Sequence, residues 1–346
     1  CVGTARVGGR VQTFFFMQKE EEKMKKRVIS LLLALVLALG LLPTAAWAAG
    51  TDVSALPEFS EGADTSTIQK FKISSADSLE ALATAVKEND GKGAYNLKGF
   101  TFYLANDIEL SDTWTPISNV TYPADAFAGT FDGNGHTISG LNGSNGLFGF
   151  VNGATIKNLK VEGTISGTSA NVGGIVGKTQ GKVTITNCSF TGSVSTSKSG
   201  SSNAAGGIVG RVNAGTLKVD NCANHATVTA EKASAAGIIG YGGSNKVTIT
   251  NCYNDGAISG QWYPSGICAQ NTKGTSKIQE CFNSGSISNT NGGTYCAGIS
   301  ANFKGEAPNC YRTEPGSENV GNNKNGTSIL LKNSDAVKNE LTDIGF

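Results

Sequence analysis

Between Gly146 and Ser300 the chain alternates short aliphatic clusters with glycine, asparagine and serine, and three kinds of cluster recur in a fixed order. The first is a glycine-flanked block. It reads Gly146-Leu147-Phe148-Gly149, Gly174-Ile175-Val176-Gly177, Gly207-Ile208-Val209-Gly210, Gly237-Ile238-Ile239-Gly240, Gly266-Ile267-Cys268 and Gly298-Ile299-Ser300, with first aliphatics 28, 33, 30, 29 and 32 residues apart. The second reads aliphatic-polar-Asn-Leu/Cys: Ile156 to Leu159, Ile185 to Cys188, Val219 to Cys222 and Ile249 to Cys252, with weaker copies at Ile278 to Cys281 and Ala307 to Cys310. The third lies six residues beyond each Leu/Cys position, at Ile165, Val194, Val228, Ile258 and Ile287. Glycine stands four residues after the Leu/Cys position in four of these five copies, Ala226 being the departure.

Each block is short, β-branched and bounded by Gly, Asn or Ser, which predicts strand and turn rather than helix. Three strands per repeat of about 30 residues, with no helical period between them, predict one coil of a parallel β-helix. A single coil cannot bury its apolar face, whereas stacked coils share one core. The expected fold is therefore all-β: a right-handed, single-stranded parallel β-helix of about six repeat coils at 146–316.

The columns assign themselves to faces. Leu147, Ile175, Ile208, Ile238, Ile267 and Ile299 are expected to point inward, with the aliphatics of the other two blocks. The polar column Lys157, Thr186, Asp220, Thr250 and Gln279 is expected to point out. The column Asn158, Asn187, Asn221, Asn251 and Asn309 fits a turn ladder, because stacked amides bond one another and Asn tolerates the left-handed conformation. Leu159 shares a column with Cys188, Cys222, Cys252, Cys281 and Cys310, which marks those cysteines as small buried hydrophobes. Their spacing matches no zinc signature. Cys268 and Cys296 stand outside the column and are the cysteines expected to pair or react.

Upstream, Met24-Lys25-Lys26-Arg27, the apolar run Ile29 to Leu42 and Ala46-Trp47-Ala48 make a secretory signal peptide at 24–48, too short for a membrane span. Residues 1–23 read as untranslated upstream sequence, since Lys19 to Lys23 is what a purine-rich ribosome-binding site would encode in frame. A polar leader is expected at 49–74. A cap and irregular first coil follow at 75–145, with a helix from Ser75 to about Asn89 that buries Leu79, Leu82 and Val86 and stops at Gly91. Phe100 to Leu110, Phe127 to Phe131 and Thr137 to Leu141 read as strands. The tail at 317–346 holds one more strand and a short helix, and its abrupt end is expected to be a truncation.

The segment Phe127-Ala-Gly-Thr-Phe-Asp-Gly-Asn-Gly-His-Thr-Ile138, the glycine-flanked Ile-Val blocks, and Asn251-Cys-Tyr-Asn-x-Gly256 together resemble the GLUG-motif repeat of secreted and surface proteins of Gram-positive gut bacteria. The similarity covers roughly 75–316. The resemblance implies a pectin-lyase-like right-handed β-helix and brings no catalytic residues with it. Some members of the family carry an IgA-peptidase-like metalloprotease domain, but this chain has no His-Glu-x-x-His. It also shows no wall anchor after Ser317.

Composition narrows the function. The chain has 346 residues, 46 Gly, 7 Pro, 2 His and a net charge of +1. It falls to −3 once the seven Lys/Arg and three Glu of residues 1–48 are set aside. No basic excess speaks for nucleic acid. Glu162, Asp220, Glu231, Asp255 and Glu280 share no column, and only Arg211 and Arg312 remain after the signal peptide, so a lyase or hydrolase site is not expected. Asp107, Glu109, Asp112, Asp125 and Asp132 form the densest acidic set, assigned to strand-end turns. His136 reads as a turn residue, and His225 as an outer-turn residue without a partner.

The remaining candidates are aromatic. Tyr253, Phe282 and Tyr311 each follow a column cysteine and are expected to stack as a ladder, a platform for sugar rings. Trp262 and Tyr263 sit in the loop between third and first strands, where repeat length varies most. The expected protein is extracellular, non-catalytic and free of cofactor or metal, an adhesive module for host or cell-wall glycan or protein. A carbohydrate-active enzyme of the same fold, or a spacer for a lost domain, are the alternatives.

Overall fold

A computed structural model of the chain describes residues 51–52, 70–87, 97–118, 126–168, 171–292, 296–312, 318–320 and 329–330. The signal peptide and the upstream stretch expected within 1–50, most of the leader, Gly91, Asp125 and most of the C-terminal tail lie outside these residues.

The fold is a right-handed parallel β-solenoid of about seven turns. Every strand pair in the described residues is parallel, and equivalent residues of successive repeats are hydrogen-bonded partners. Ile156, Ile185, Val219, Ile249 and Ile278 form one unbroken register. The same column continues upstream through Phe131, Phe102 and Phe71. The expected irregular first coil is thus already in step with the repeats. Phe71 and Phe102 stack with centroids 5.4 Å apart, so aromatic rings fill the wider N-terminal end that aliphatics fill further on.

The inward assignments hold. Leu147, Ile175, Ile208, Ile238, Ile267 and Ile299 are all fully buried. In the third block Ile165, Val194, Val228 and Ile258 are buried, while Ile287 is only partly so and packs against the rim of the core. Leu159 and the five column cysteines are buried together. Each thiol lies near the carbonyl two residues before it, for instance 3.1 Å from Cys188 Sγ to the Thr186 oxygen. Burial pushes the Cys188 and Cys252 thiols up and keeps them protonated. All seven cysteines of the described residues are free thiols. Cys268 lies in the inner aliphatic column opposite Ile239, where burial pushes its pKa up to about 12. That placement makes it a packing residue rather than a pairing one.

The turn ladder is also present. Asn158, Asn187, Asn221, Asn251 and Asn309 all have φ between 51° and 53°. Asn187 Nδ2 donates to Asn158 Oδ1 at 3.0 Å, and Asn221 Nδ2 to Asn187 Oδ1 at 2.8 Å. At Asn251 the amide turns instead to Asp220 Oδ1, 3.2 Å away. Glu280 takes the same left-handed turn at φ 54° without the short amide that eases it.

A second asparagine column lies inside. Asn224, Asn254 and Asn283 are completely buried. Asn224 Nδ2 donates to Asn254 Oδ1 at 2.7 Å, and Asn254 Nδ2 to Asn283 Oδ1 at 2.6 Å. Each Nδ2 also donates across its own turn to the carbonyl two residues on. The amides therefore pay no penalty as buried polar groups. Phe190 continues the column at one end and Arg312 at the other. The first glycine of each repeat sits against it. A Cβ on Gly207, Gly237 or Gly266 would fall 2.0, 2.3 or 2.5 Å from the Oδ1 of Asn224, Asn254 or Asn283. The glycine of the aliphatic block is required by that approach.

One helix occurs among the described residues, α1 at Ala76–Lys87. Ser75 caps it: the Ser78 amide donates to Ser75 Oγ at 3.2 Å, and the Ser75 amide to Ser78 Oγ at 2.9 Å, a reciprocal capping box. Leu79, Leu82 and Val86 face the core as expected. The strand expected over Phe100 to Leu110 is broken into Thr101–Leu104 and Ile108–Glu109, because the chain turns a corner of the coil between them. The strand expected from Phe127 begins at Thr130, and Phe127 makes only an isolated bridge to Val151.

Gly237→Ala is expected to lower stability by about 3 kcal/mol, the upper range for overpacking a filled site. Its Cβ would lie 2.2 Å from the Gly266 oxygen, whereas Gly274→Ala, which meets nothing within 4 Å, is expected to be neutral. Glu280→Asn should raise stability by about 1 kcal/mol by relieving the left-handed turn. Thermal melts of the three variants check both expectations, and equal melting of the two glycine variants would contradict the packing argument.

Candidate functional site

The outer surface beside the cysteine column carries the aromatic ladder. Ala223, Tyr253, Phe282 and Tyr311 occupy equivalent positions in successive coils, one residue before the inner Asn column, so alternation turns them outward. The Tyr253 and Phe282 rings stack with centroids 5.5 Å apart and planes at 11°. Phe282 is only 2% exposed, while Tyr253 and Tyr311 are half-buried. The ladder therefore offers the tyrosine rings, and Phe282 serves as backing.

His225 belongs to this surface, and here the structure corrects the sequence reading, which gave it no partner. Its Nδ1 lies 2.9 and 3.0 Å from the two carboxylate oxygens of Asp255, one coil further on. Its ring also lies 6.0 Å from that of Tyr253. The Tyr253 hydroxyl in turn bonds Ser284 Oγ at 2.9 Å. His225, Asp255, Tyr253 and Ser284 thus span three coils as one polar and aromatic surface. The Asp255 carboxylate raises the His225 pKa by its hydrogen bond, against burial. Burial first, and then Asp255, raises the Tyr253 phenol and keeps it neutral. No pattern in the sequence marks this group, because its contacts join unlike residues of neighbouring repeats.

Trp262 and Tyr263 lie further round the coil, in the strand Ile258–Ser265. Trp262 is 38% exposed, the one large exposed hydrophobic side chain among the described residues. Tyr263 has φ 52°, a left-handed conformation rare for a bulky side chain. The Ser265 hydroxyl donates to its carbonyl at 3.0 Å. The next coil reaches back to this bulge, with Asn289 Nδ2 donating to the Gln261 carbonyl at 3.1 Å.

The other histidine and the dense acids are held in turns. His136 Nδ1 lies 3.1 Å from Asp107 Oδ1, which also accepts the Thr137 amide at 2.9 Å; that amide, and then His136, lower the Asp107 pKa. Asp132 pairs with Lys157 at 2.9 Å.

The geometry suits hydrogen bonding better than proton transfer to a nucleophile. His225 and Ser284 are two coils apart, on the order of 9.5 Å along the stack, beyond the reach of a hydrogen bond. What remains is a flat ring edged by an imidazole, a carboxylate and a hydroxyl.

The raised His225 pKa has a stability consequence. Its contribution is fully present below the ordinary value of 6.5 and is lost as pH rises through the folded-state value. Melting temperature is expected to fall over that window. Asp255→Asn should flatten the profile, and an unchanged slope would mean that the pair does not form in solution.

The family model of the GLUG motif matches residues 168–195. No curated protein sequence matches the chain. Among solved structures, the chain is similar to a protein of Bacteroides ovatus described as a candidate immunoglobulin A1 protease. The TM-score is 0.58 at 20% identity, covering 80% of this chain and 88% of that one. It is also similar to a structure described as IgA1 protease, with a TM-score of 0.51 at 16% identity, covering 78% of this chain and 20% of that one. At such identities the likeness is one of fold. The chain is a right-handed parallel β-solenoid that carries the GLUG motif.

Proposed function

We propose that this solenoid is a secreted surface module that binds a host or cell-wall glycan without turning it over. The single observation behind the reading is the half-exposed Tyr253 ring, backed by Phe282 at 5.5 Å and edged by His225, Asp255 and Ser284. An aromatic face flanked by donors and acceptors matches a sugar ring, which presents C–H groups on its faces and hydroxyls around its rim. Tyr311 extends the same column, and Trp262 with Tyr263 supplies a second aromatic patch on the coil. A solenoid also gives reach and a long lateral surface, both of which suit attachment.

A second reading, cleavage of a protein or polysaccharide, is favoured by the descriptions of the two similar structures as IgA1 proteases. The two readings separate in one experiment. The purified protein is screened on a glycan array and on mucin, while immunoglobulin A and polysaccharides are incubated with it and inspected for new ends. Saturable binding without products is expected. Tyr253→Ala should weaken it by roughly tenfold, equivalent to about 1.4 kcal/mol. Trp262→Ala reports whether the second patch contributes. Product formation would establish the enzyme instead, and silence in both assays would leave a structural spacer.

A further inference from the structure

A second surface stands out by its charge. The four strands Phe148–Asn152, Val176–Gln180, Val209–Val212 and Ile239–Tyr241 form a separate sheet that contains one lysine, one arginine and no acidic residue. Lys178, Arg211 and Tyr241 occupy equivalent positions in three successive coils. The two cations therefore leave the sheet side by side, on the order of 4.8 Å apart at the backbone. Burial first, and then the Arg211 charge, pushes the Lys178 ammonium down.

The arginine is held in place without a carboxylate. Its guanidinium carbon sits 4.7 Å from the centroid of the Tyr241 ring. Its Nη1 donates to the Ser202 carbonyl at 2.9 Å. Ser202 lies in Gly200–Gly206, at the end of the longest insertion among the repeats, so that insertion acts as a strap over the guanidinium. Nε is buried and has no hydrogen-bond acceptor. A buried charged donor without an acceptor is unfavourable, and aligning two like charges adds to that cost. An incoming anion relieves both, and a guanidinium oriented by a ring and a backbone carbonyl is already arranged for it.

We propose that Lys178, Arg211 and Tyr241 form a binding site for one oxyanion group, a carboxylate or a sulfate, supplied as the free ion or carried on an acidic sugar. Two cations one coil apart fit a single such group rather than a run of charges. The site belongs to a different sheet from the Tyr253 surface and stands independently of the reading given to that surface.

Calorimetric titration of the full chain at low salt tests it, using sodium sulfate, sialyllactose, a sulfated disaccharide and neutral lactose. At least one of the anionic probes is expected to bind and lactose is not. Arg211→Ala should abolish that binding, and Lys178→Met should weaken it at least tenfold. Arg211→Lys should fail to restore it, since lysine has neither the fork nor the plane that rests on Tyr241. Tyr253→Ala and Lys70→Met should leave it unchanged, and thermal melts of each variant keep lost folding from being read as a lost site. Binding of sulfate alone supports the site and assigns it to the free ion, whereas binding of either sugar assigns it to an acidic glycan. No binding of any anionic probe, or equal binding by folded Arg211→Ala, would overturn the proposal, as would a loss on Lys70→Met that matches the loss on Lys178→Met.

Discussion

The backbone hydrogen bonds between coils are the constraint from which the rest follows. A residue in this solenoid finds partners for its N–H and C=O groups almost only in the coils above and below. Each coil must therefore repeat the path of its neighbour, and a conformation adopted once has to be adopted at every level. The left-handed turn at φ 51–53° in Asn158, Asn187, Asn221, Asn251 and Asn309 is one result. The glycine column at Gly163, Gly192, Gly256 and Gly285 is another. A Cβ on Gly192 would lie 2.0 Å from the Gly163 carbonyl, and one on Gly256 would lie 1.9 Å from that of Ala226.

Within that constraint the core has two materials. Aliphatic, aromatic and thiol side chains fill most of it, and an amide ladder runs through it at Asn224, Asn254 and Asn283. An amide column in an apolar interior is stable only when every donor and acceptor is met. Here the stacking that aligns the coils also aligns the amides, and the turn carbonyls take the remaining protons. The ladder then reaches toward the opposite wall, which must offer a residue without a side chain. The Asn-x-Gly segment and the glycine of the Gly-Ile-Val-Gly block are thus two sides of one contact.

This explains what could be read from the sequence and what could not. Columns of like residues announce themselves through their period, so the inner aliphatics, the turn asparagines and the buried character of the cysteines were all legible. The second asparagine was visible in Asn251-Cys-Tyr-Asn-x-Gly256, but sequence does not say which way a side chain points beside a turn. The register of Phe71, Phe102 and Phe131 was hidden because the early coils lack the glycine-flanked block. The His225–Asp255 pair and the Arg211–Tyr241 stack join different residue types across a coil boundary, and neither has a period to find. Stacking of Tyr253 on Phe282 was foreseeable from spacing, whereas the near-complete burial of Phe282 was not.

The same logic separates architecture from binding. An inward position is fixed by the residues stacked on either side of it, so change there is resisted from two directions. An outward position contacts solvent on one side and can differ from coil to coil at little cost. The outer column runs Ala223, Tyr253, Phe282, Tyr311, and that of the other sheet runs Phe150, Lys178, Arg211, Tyr241. Neither repeats, although the inward columns beside them nearly do. Recognition chemistry in a solenoid is therefore to be sought where the repeat fails on the outside while holding within, and both surfaces described above meet that condition.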